Sequence, residues 1–207
     1  NNITTPDFAS FTIPEPPTPS SVVKTDAALR SGKVVVIDRN HNNQFDPTEL
    51  EPLTTALSAR GALVEFDTAA GPLEARLKYT SAYVIVSPTS TFSGSEIFLL
   101  QRFVSNGGRL LVFADPTRRP VYYDSFGYAY LLPDVNVINP IIAPFGISFV
   151  NDYIYNVEDN EGNFRNVKFT DFAANPITRD LQMVVFYGAH AVHAETGTKL
   201  ATGGDKV

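Results

Sequence analysis

Val34-Val35-Val36-Ile37 is an unbroken β-branched run that stops at Asp38, the pattern of a strand covered on both faces rather than the alternation of a half-exposed one. After the polar stretch 39–44, Asp46-Pro47-Thr48-Glu49 supplies an N-cap, a proline at the first helical position and a carboxylate three residues past the cap. A helix is predicted from there to about Arg60, with Leu50, Leu53 and Leu57 on one face and Gly61 as its stop. The unit then repeats: a strand over 62–66, a short helix over 73–79 and a second apolar strand over 82–86. Ser93-Gly94-Ser95-Glu96 is another capping box. It opens a helix whose Ile97, Leu100, Phe103 and Val104 form a buried stripe, closed by Gly107-Gly108 before a buried strand over 109–114.

Strands alternating with helices imply right-handed crossovers and a mostly parallel sheet covered on both faces, an α/β three-layer sandwich. Past Asp115 the regularity weakens. Residues 116–135 are rich in Tyr, Pro and Arg, and 136–145 reads as a short helix interrupted by Pro140 and Pro144. Strands are predicted over 153–157, 167–172 and 183–187, with a turn at 160–163, so that this half completes the sheet and adds a C-terminal β-hairpin. Residues 1–19, with Pro6, Pro14, Pro16, Pro17 and Pro19, read as a linker or strap. A helix over 20–30 follows, with Val22, Val23 and Ala27 or Leu29 on one side. A single domain is expected over 20–195 and a frayed tail over 196–207.

Composition narrows the function. The longest apolar runs fall far short of the ~20 residues of a spanning helix, so direct membrane insertion is not expected. With 12% aromatic and 18% charged residues the chain has the material for a core. A net charge of −6 argues against nucleic acid as a partner. The absence of cysteine excludes thiol nucleophiles, thiolate metal sites and disulfides. Starting at Asn1 without a charged-then-apolar leader, the chain reads as a processed or excised segment.

Val34 to Asp38, His41-Asn42, the run from Leu53 to Gly61, and above all Phe103-Val104-Ser105-Asn106-Gly107-Gly108-Arg109-Leu110-Leu111-Val112 resemble the class I glutamine amidotransferase-like superfamily over residues 33 to about 190. The closest likeness is to its uncharacterised, noncatalytic branch of extracytoplasmic, membrane- or transporter-associated domains. The resemblance implies a flavodoxin-like fold and, in catalytic members, a cysteine on the turn after a central strand with a His-x-Glu pair downstream. Here that turn is Asp115-Pro116-Thr117, so the nucleophile is missing and His193-Ala194-Glu195 has nothing to activate. An interaction or scaffolding module of a larger extracytoplasmic protein is the reading that follows, its partner another protein or other domains of the same parent chain.

The richest motif is the stretch from Asp38 to Glu49. It matches a twelve-residue calcium loop, with Asp38, Asn40, Asn42, Gln44, Asp46 and Glu49 in the ligand slots. Calcium takes six to eight oxygens, and these side chains could converge while Glu49 closes the shell from the following helix. The sharp turn usually made by Gly falls on Asn43, which would then take the left-handed conformation. A helix cap over Asp46 to Glu49, with Asn residues as turn formers, explains the same residues without an ion. His41 is expected to face solvent or stand behind the ligands, since calcium prefers oxygen.

Ligands of open α/β sheets bind beyond the carboxyl ends of the strands. His41, Thr89, Ser90, Asp115, Arg118 and Arg119 would line one crevice there, suited by its arginines to a carboxylate or phosphate. A hydrolase or small-ligand-binding domain using that crevice, with Asp115, Thr117 or Ser87 in the chemistry, is the alternative function. Surface ion pairs are the commoner fate of such arginines. Tyr122, Tyr123, Tyr128 and Tyr130 are read as edge aromatics rather than a carbohydrate platform, and His190 with His193 as an incomplete metal pair.

Overall fold

The computed structural model describes residues 33–68, 71–119 and 121–203. The expected strap over 1–19 and helix over 20–30 lie outside the described residues. Four parallel strands form the central sheet: β1 (Val34–Asp38), β2 (Leu63–Asp67), β3 (Ala82–Val86) and β4 (Arg109–Phe113), in the order β2-β1-β3-β4. Every residue of β1 is buried, as its unbroken β-branched run requires.

The connections place helices on both faces. The crossover from β1 to β2 is a 3-10 turn (Pro47–Leu50) running into α1 (Glu51–Ala59), whose side packs Leu50 and Leu57 with Phe45, Val64 and Phe66 against Val35, Ile37 and Val84. The crossovers through α2 (Leu73–Leu77) and α3 (Gly94–Ser105) run the opposite way along the sheet and so fall on the other face. There Leu73, Leu77, Leu100 and Phe103 meet Val34, Val36, Tyr83 and Ile85, joined by Ile138, Ile141 and Ile142 of α4 (Val135–Ile142). Both predicted capping boxes are formed, at Asp46 and at Ser93. Pro140 sits inside α4 and a second 3-10 turn (Ala143–Phe145) ends it at Gly146, whose φ of 71° is the left-handed value glycine accepts.

β4 differs from its prediction as a buried strand. It is the sheet's edge among the described residues, and Leu111 and Phe113 on the α1 face are 37% and 48% exposed. The second half also differs: none of its strands joins the parallel sheet. β5 (Val121–Tyr123) pairs with β6 (Ala129–Leu131), β7 (Ile147–Phe149) with β11 (Val192–Ala194), β8 (Asn166–Phe169) with β10 (Val184–Tyr187), and β9 (Asp171–Phe172) with β12 (Ala201–Thr202), all antiparallel. The strand expected over 153–157 is extended chain without a ladder, because its amides go singly to loops: Ile154 N–H donates to Ala189 O and Asn156 N–H to Phe164 O. Within the expected tail, β12 is held in a ladder. No helix among the described residues is long and apolar enough to cross a membrane.

Candidate functional site at the carboxyl ends of the strands

Asp38 closes β1 with its carboxylate fully buried. An isolated buried carboxylate is costly, and three donors relieve it: His41 Nδ1 lies 2.9 Å from Oδ2, Tyr83 Oη donates to Oδ1 at 2.9 Å, and the Asn40 N–H reaches Oδ1 at 3.3 Å. Tyr83 stands on the neighbouring strand β3 and also reaches Asp67 at the end of β2, which pairs with Arg76. Burial first, then the charges of Asp38 and Asp67, push the Tyr83 hydroxyl far above its ordinary pKa, so it remains a donor. The His41 ring is buried, stacked 3.4 Å from the Phe92 ring, with Nε2 3.5 Å from Glu96 Oε1 at the start of α3. Although burial opposes it, the Ser93 hydroxyl and N–H, then His41, hold Glu96 below its ordinary pKa. His41 therefore does not face solvent: it links the ends of β1 and α3.

The loop after β1 is stitched to the loop after β3. Thr89 N–H and Ser90 N–H both donate to His41 O at 3.0 Å, and Asn42 Nδ2 donates to Thr89 Oγ1 at 2.7 Å. Thr89 is buried, whereas Ser90 contributes only its backbone. The left-handed residue is Asn42, with φ 49°, not Asn43. Asn43 is buried and bridges instead, its Oδ1 accepting from His41 N–H and its Nδ2 donating to Val86 O.

Arg118 occupies the rest of the crevice. Its guanidinium grips Glu49 with two bonds of 2.6 and 2.8 Å, donates to Gln44 O at 2.6 Å and meets Asp115 Oδ2 at 3.0 Å. This fork geometry is the strong form of an arginine–carboxylate pair. The Arg118 side chain first, then the Asp46 N–H, lower the Glu49 pKa to about 2. Asp46 is held low by the Thr48 hydroxyl and N–H that it caps. Asp115 also accepts from the Thr117 hydroxyl and N–H. Arg119 points elsewhere, donating to Pro116 O and lying over the Tyr153 ring.

Six calcium-slot residues are thus close in sequence, but their three carboxylates each serve separate partners: Asp38 takes His41 and Tyr83, Asp46 caps the helix and Glu49 holds Arg118. Among the described residues no group of three or more His, Asp or Glu is arranged to hold a metal ion. His190 and His193 do not pair: His190 is buried with Nε2 2.8 Å from Asp134 Oδ2, and His193 lies in β11 opposite Ser148. What remains open in the crevice is a depression of about 560 Å³ lined by residues 43–46 and 117–119. The Thr117 hydroxyl at its edge donates to Asp115, whose other oxygen is held by Arg118.

Sequence reading missed Tyr83, Phe92 and Glu96. Tyr83 carried a signal, since a hydroxyl inside the apolar run 82–86 must find a buried partner. It also missed the β5–β6 hairpin, which starts two residues after Arg119. Val121, Tyr123, Phe126, Tyr128, Tyr130 and Leu131 are all exposed on it, Phe126 by 85%.

No family model matches the chain, and no curated protein matches it. Among solved structures the chain is similar to one titled mmIFT52 N-terminal domain, at 15% identity and a TM-score of 0.64, over 83% of this chain and 73% of that one. That likeness carries the fold and nothing finer: the chain is a flavodoxin-like α/β sandwich with a mostly parallel central sheet and added antiparallel hairpins.

Proposed function

We propose that this domain is a noncatalytic interaction module, docking another protein or another domain of its parent chain through the β5–β6 hairpin beside the strand-end crevice. The observation that carries this reading is the number of large apolar side chains the hairpin exposes: Val121, Tyr123, Phe126, Tyr128, Tyr130 and Leu131. Val121, Tyr123 and Leu131 share one face of the ladder and Tyr130 the other, and large exposed apolar surface on a folded domain is a mark of interaction sites. The crevice supports it from the other side: of its arginines, Arg118 is committed to Glu49 and Asp115 and Arg119 to Pro116 O, and its imidazole is committed to Asp38. The kinship with amidotransferase-like domains and the extracytoplasmic setting belong to this proposal, and both rest on the sequence resemblance.

Calcium belongs to it as an ordering ion for residues 38–49. Binding would have to exchange the guanidinium of Arg118 for the ion at Glu49. Calorimetric titration of calcium into the chelator-treated chain should give a heat that Glu49→Gln removes. No heat up to ~10 mM, above the weakest class of such sites, takes calcium out of the account.

The docking claim is tested by replacing Tyr123 or Tyr128 with a photo-cross-linking amino acid in the full-length parent protein in its own cells, with the same replacement at exposed Ser58 on α1 as control. One discrete protein or intramolecular adduct at both hairpin sites, absent at 58, is expected. Adducts equally frequent at all three sites would refute the assignment.

A further inference from the structure

At the opposite end of the sheet, between α2 and α3 and beneath the amino ends of β3 and β4, lies a groove of about 490 Å³, a size typical of ligand pockets. Its floor is apolar: Leu77 and Phe103, both buried, and the partly buried Leu99. Its rim carries Lys78, Arg102 and Arg109, all exposed, with Glu74 at one edge. Among the described residues no carboxylate lies within ion-pair distance of any of these three cations, whereas Arg76, Arg118 and Lys168 elsewhere all have acidic partners. In a chain of net charge −6, three cations with no ion-pair partner among the described residues, against one carboxylate of the rim, Glu74, leave the groove positive; Arg102 also lies over the Phe98 ring.

Lys78 and Arg102 lie at or near the ends of α2 and α3, where a cation is favourable. Arg109 stands on β4 and serves no helix end of its own. A free phosphate would leave the Leu77, Leu99 and Phe103 floor unused. It would also find no spare amides at the turn, because Gly107 and Gly108 N–H already donate to Val104 O and Phe103 O.

We infer that this groove docks an acidic peptide segment of a partner protein, its apolar side chains on Leu77, Leu99 and Phe103 and its carboxylates against Lys78, Arg102 and Arg109. This goes beyond the hairpin proposal and uses a different surface, so either can fail alone. Charge complementarity gives the site its selectivity and its salt dependence.

The test is fluorescence anisotropy of the full chain with a labelled octapeptide of alternating glutamate and leucine. A lysine–leucine octapeptide, octaglutamate, and inorganic phosphate at matched ionic strength serve as comparisons. The glutamate–leucine peptide should bind, should weaken with added salt, and should lose at least about tenfold in affinity in Arg102→Glu/Arg109→Glu, with the variant still folded and only slightly less stable, since Glu at 102 faces the helix C-terminus. If that variant does not fold, Arg102→Gln/Arg109→Gln must still weaken binding, by a smaller factor. Equal binding of the lysine peptide, no loss in either double variant, octaglutamate binding as tightly, or full displacement by phosphate would each overturn the inference.

Discussion

Residues 33–119 and 121–203 are similar lengths of chain with very different surfaces. In the first, large apolar side chains end in the two cores, and among the described residues only Tyr79, Phe98, Leu111 and Phe113 are exposed. In the second, sixteen are exposed among the described residues, from Val121 to Val192. The cause lies in how the strands pair. β1 to β4 form one sheet that helices cover, so an apolar run has two faces to bury. β5 to β12 pair two by two, and a two-stranded ribbon has little to bury against by itself. The second half enters the core through α4, whose Ile138, Ile141 and Ile142 pack there with Ile147 and Phe149 alongside, and Tyr153 ties it to Pro116 O, but its ribbons carry the exposed apolar side chains.

That contrast can be broken most forcefully at Asp38. Asp38→Ala strips a fully buried acceptor from His41 and Tyr83, and urea unfolding should show a loss of about 3 kcal/mol. A loss under about 0.5 kcal/mol, the range of ordinary surface changes, would mean the network does not hold the strand ends. Gly108→Ala comes next. A Cβ there would run into the buried Phe103 ring, and a cost of about 1–3 kcal/mol is expected from overpacking, readable as a lower melting temperature.

A third probe concerns the tie inside the second half between the chain before β11 and Asp134 at the start of α4, the helix that enters the core. Burial opposes the charged form of His190, but the Asp134 carboxylate outweighs it and raises the His190 pKa; Asp152 faces Nδ1 from the other side at 3.8 Å. A raised folded value means the contribution is complete below the unfolded value of about 6.5 and is lost as pH rises through the folded value. Unfolding measured across that window should therefore lose stability in the parent chain, and His190→Gln should flatten that part of the profile. An unchanged slope would mean that the His190–Asp134 pair does not hold this part of the second half together. The smallest effect belongs to the Glu49–Arg118 pair. Its carboxyl, ordinarily near 4.5, is lowered to about 2, so its share is present above 4.5 and fades as pH falls through about 2. Both side chains are partly solvated, and Glu49→Gln should cost at most about 1 kcal/mol at neutral pH.

The core of the fold was legible where signals are local. The β-branched run 34–37, the boxes at Asp46 and Ser93, and the stripe Leu100 and Phe103 each fix an element from neighbouring residues, and each is found. Ladders between distant three-residue pieces were not legible. Val192 meets Phe149 and His193 meets Ser148, and pieces so short carry almost no periodicity. The site divides the same way. Asp38, His41 and Thr89 stood out from the strand-end loops, but Tyr83 and Glu96 enter through strand order and helix placement, and Arg118's grip on Glu49 spans 69 residues. The turn fell one residue from expectation because Asn43 is recruited inward by His41 N–H and Val86 O, leaving Asn42 to take the left-handed conformation.

The central claim, that the hairpin is built to meet another protein rather than to hold this one together, is tested most directly in Tyr123→Ser/Phe126→Ser carrying the photo-cross-linking residue at 128. Unfolding free energy and adduct yield are measured on that same variant. The account predicts unfolding unchanged within about 0.5 kcal/mol, as for surface positions, with the adduct lost. A drop of more than about 2 kcal/mol, the scale of a core truncation, with the adduct retained would contradict it.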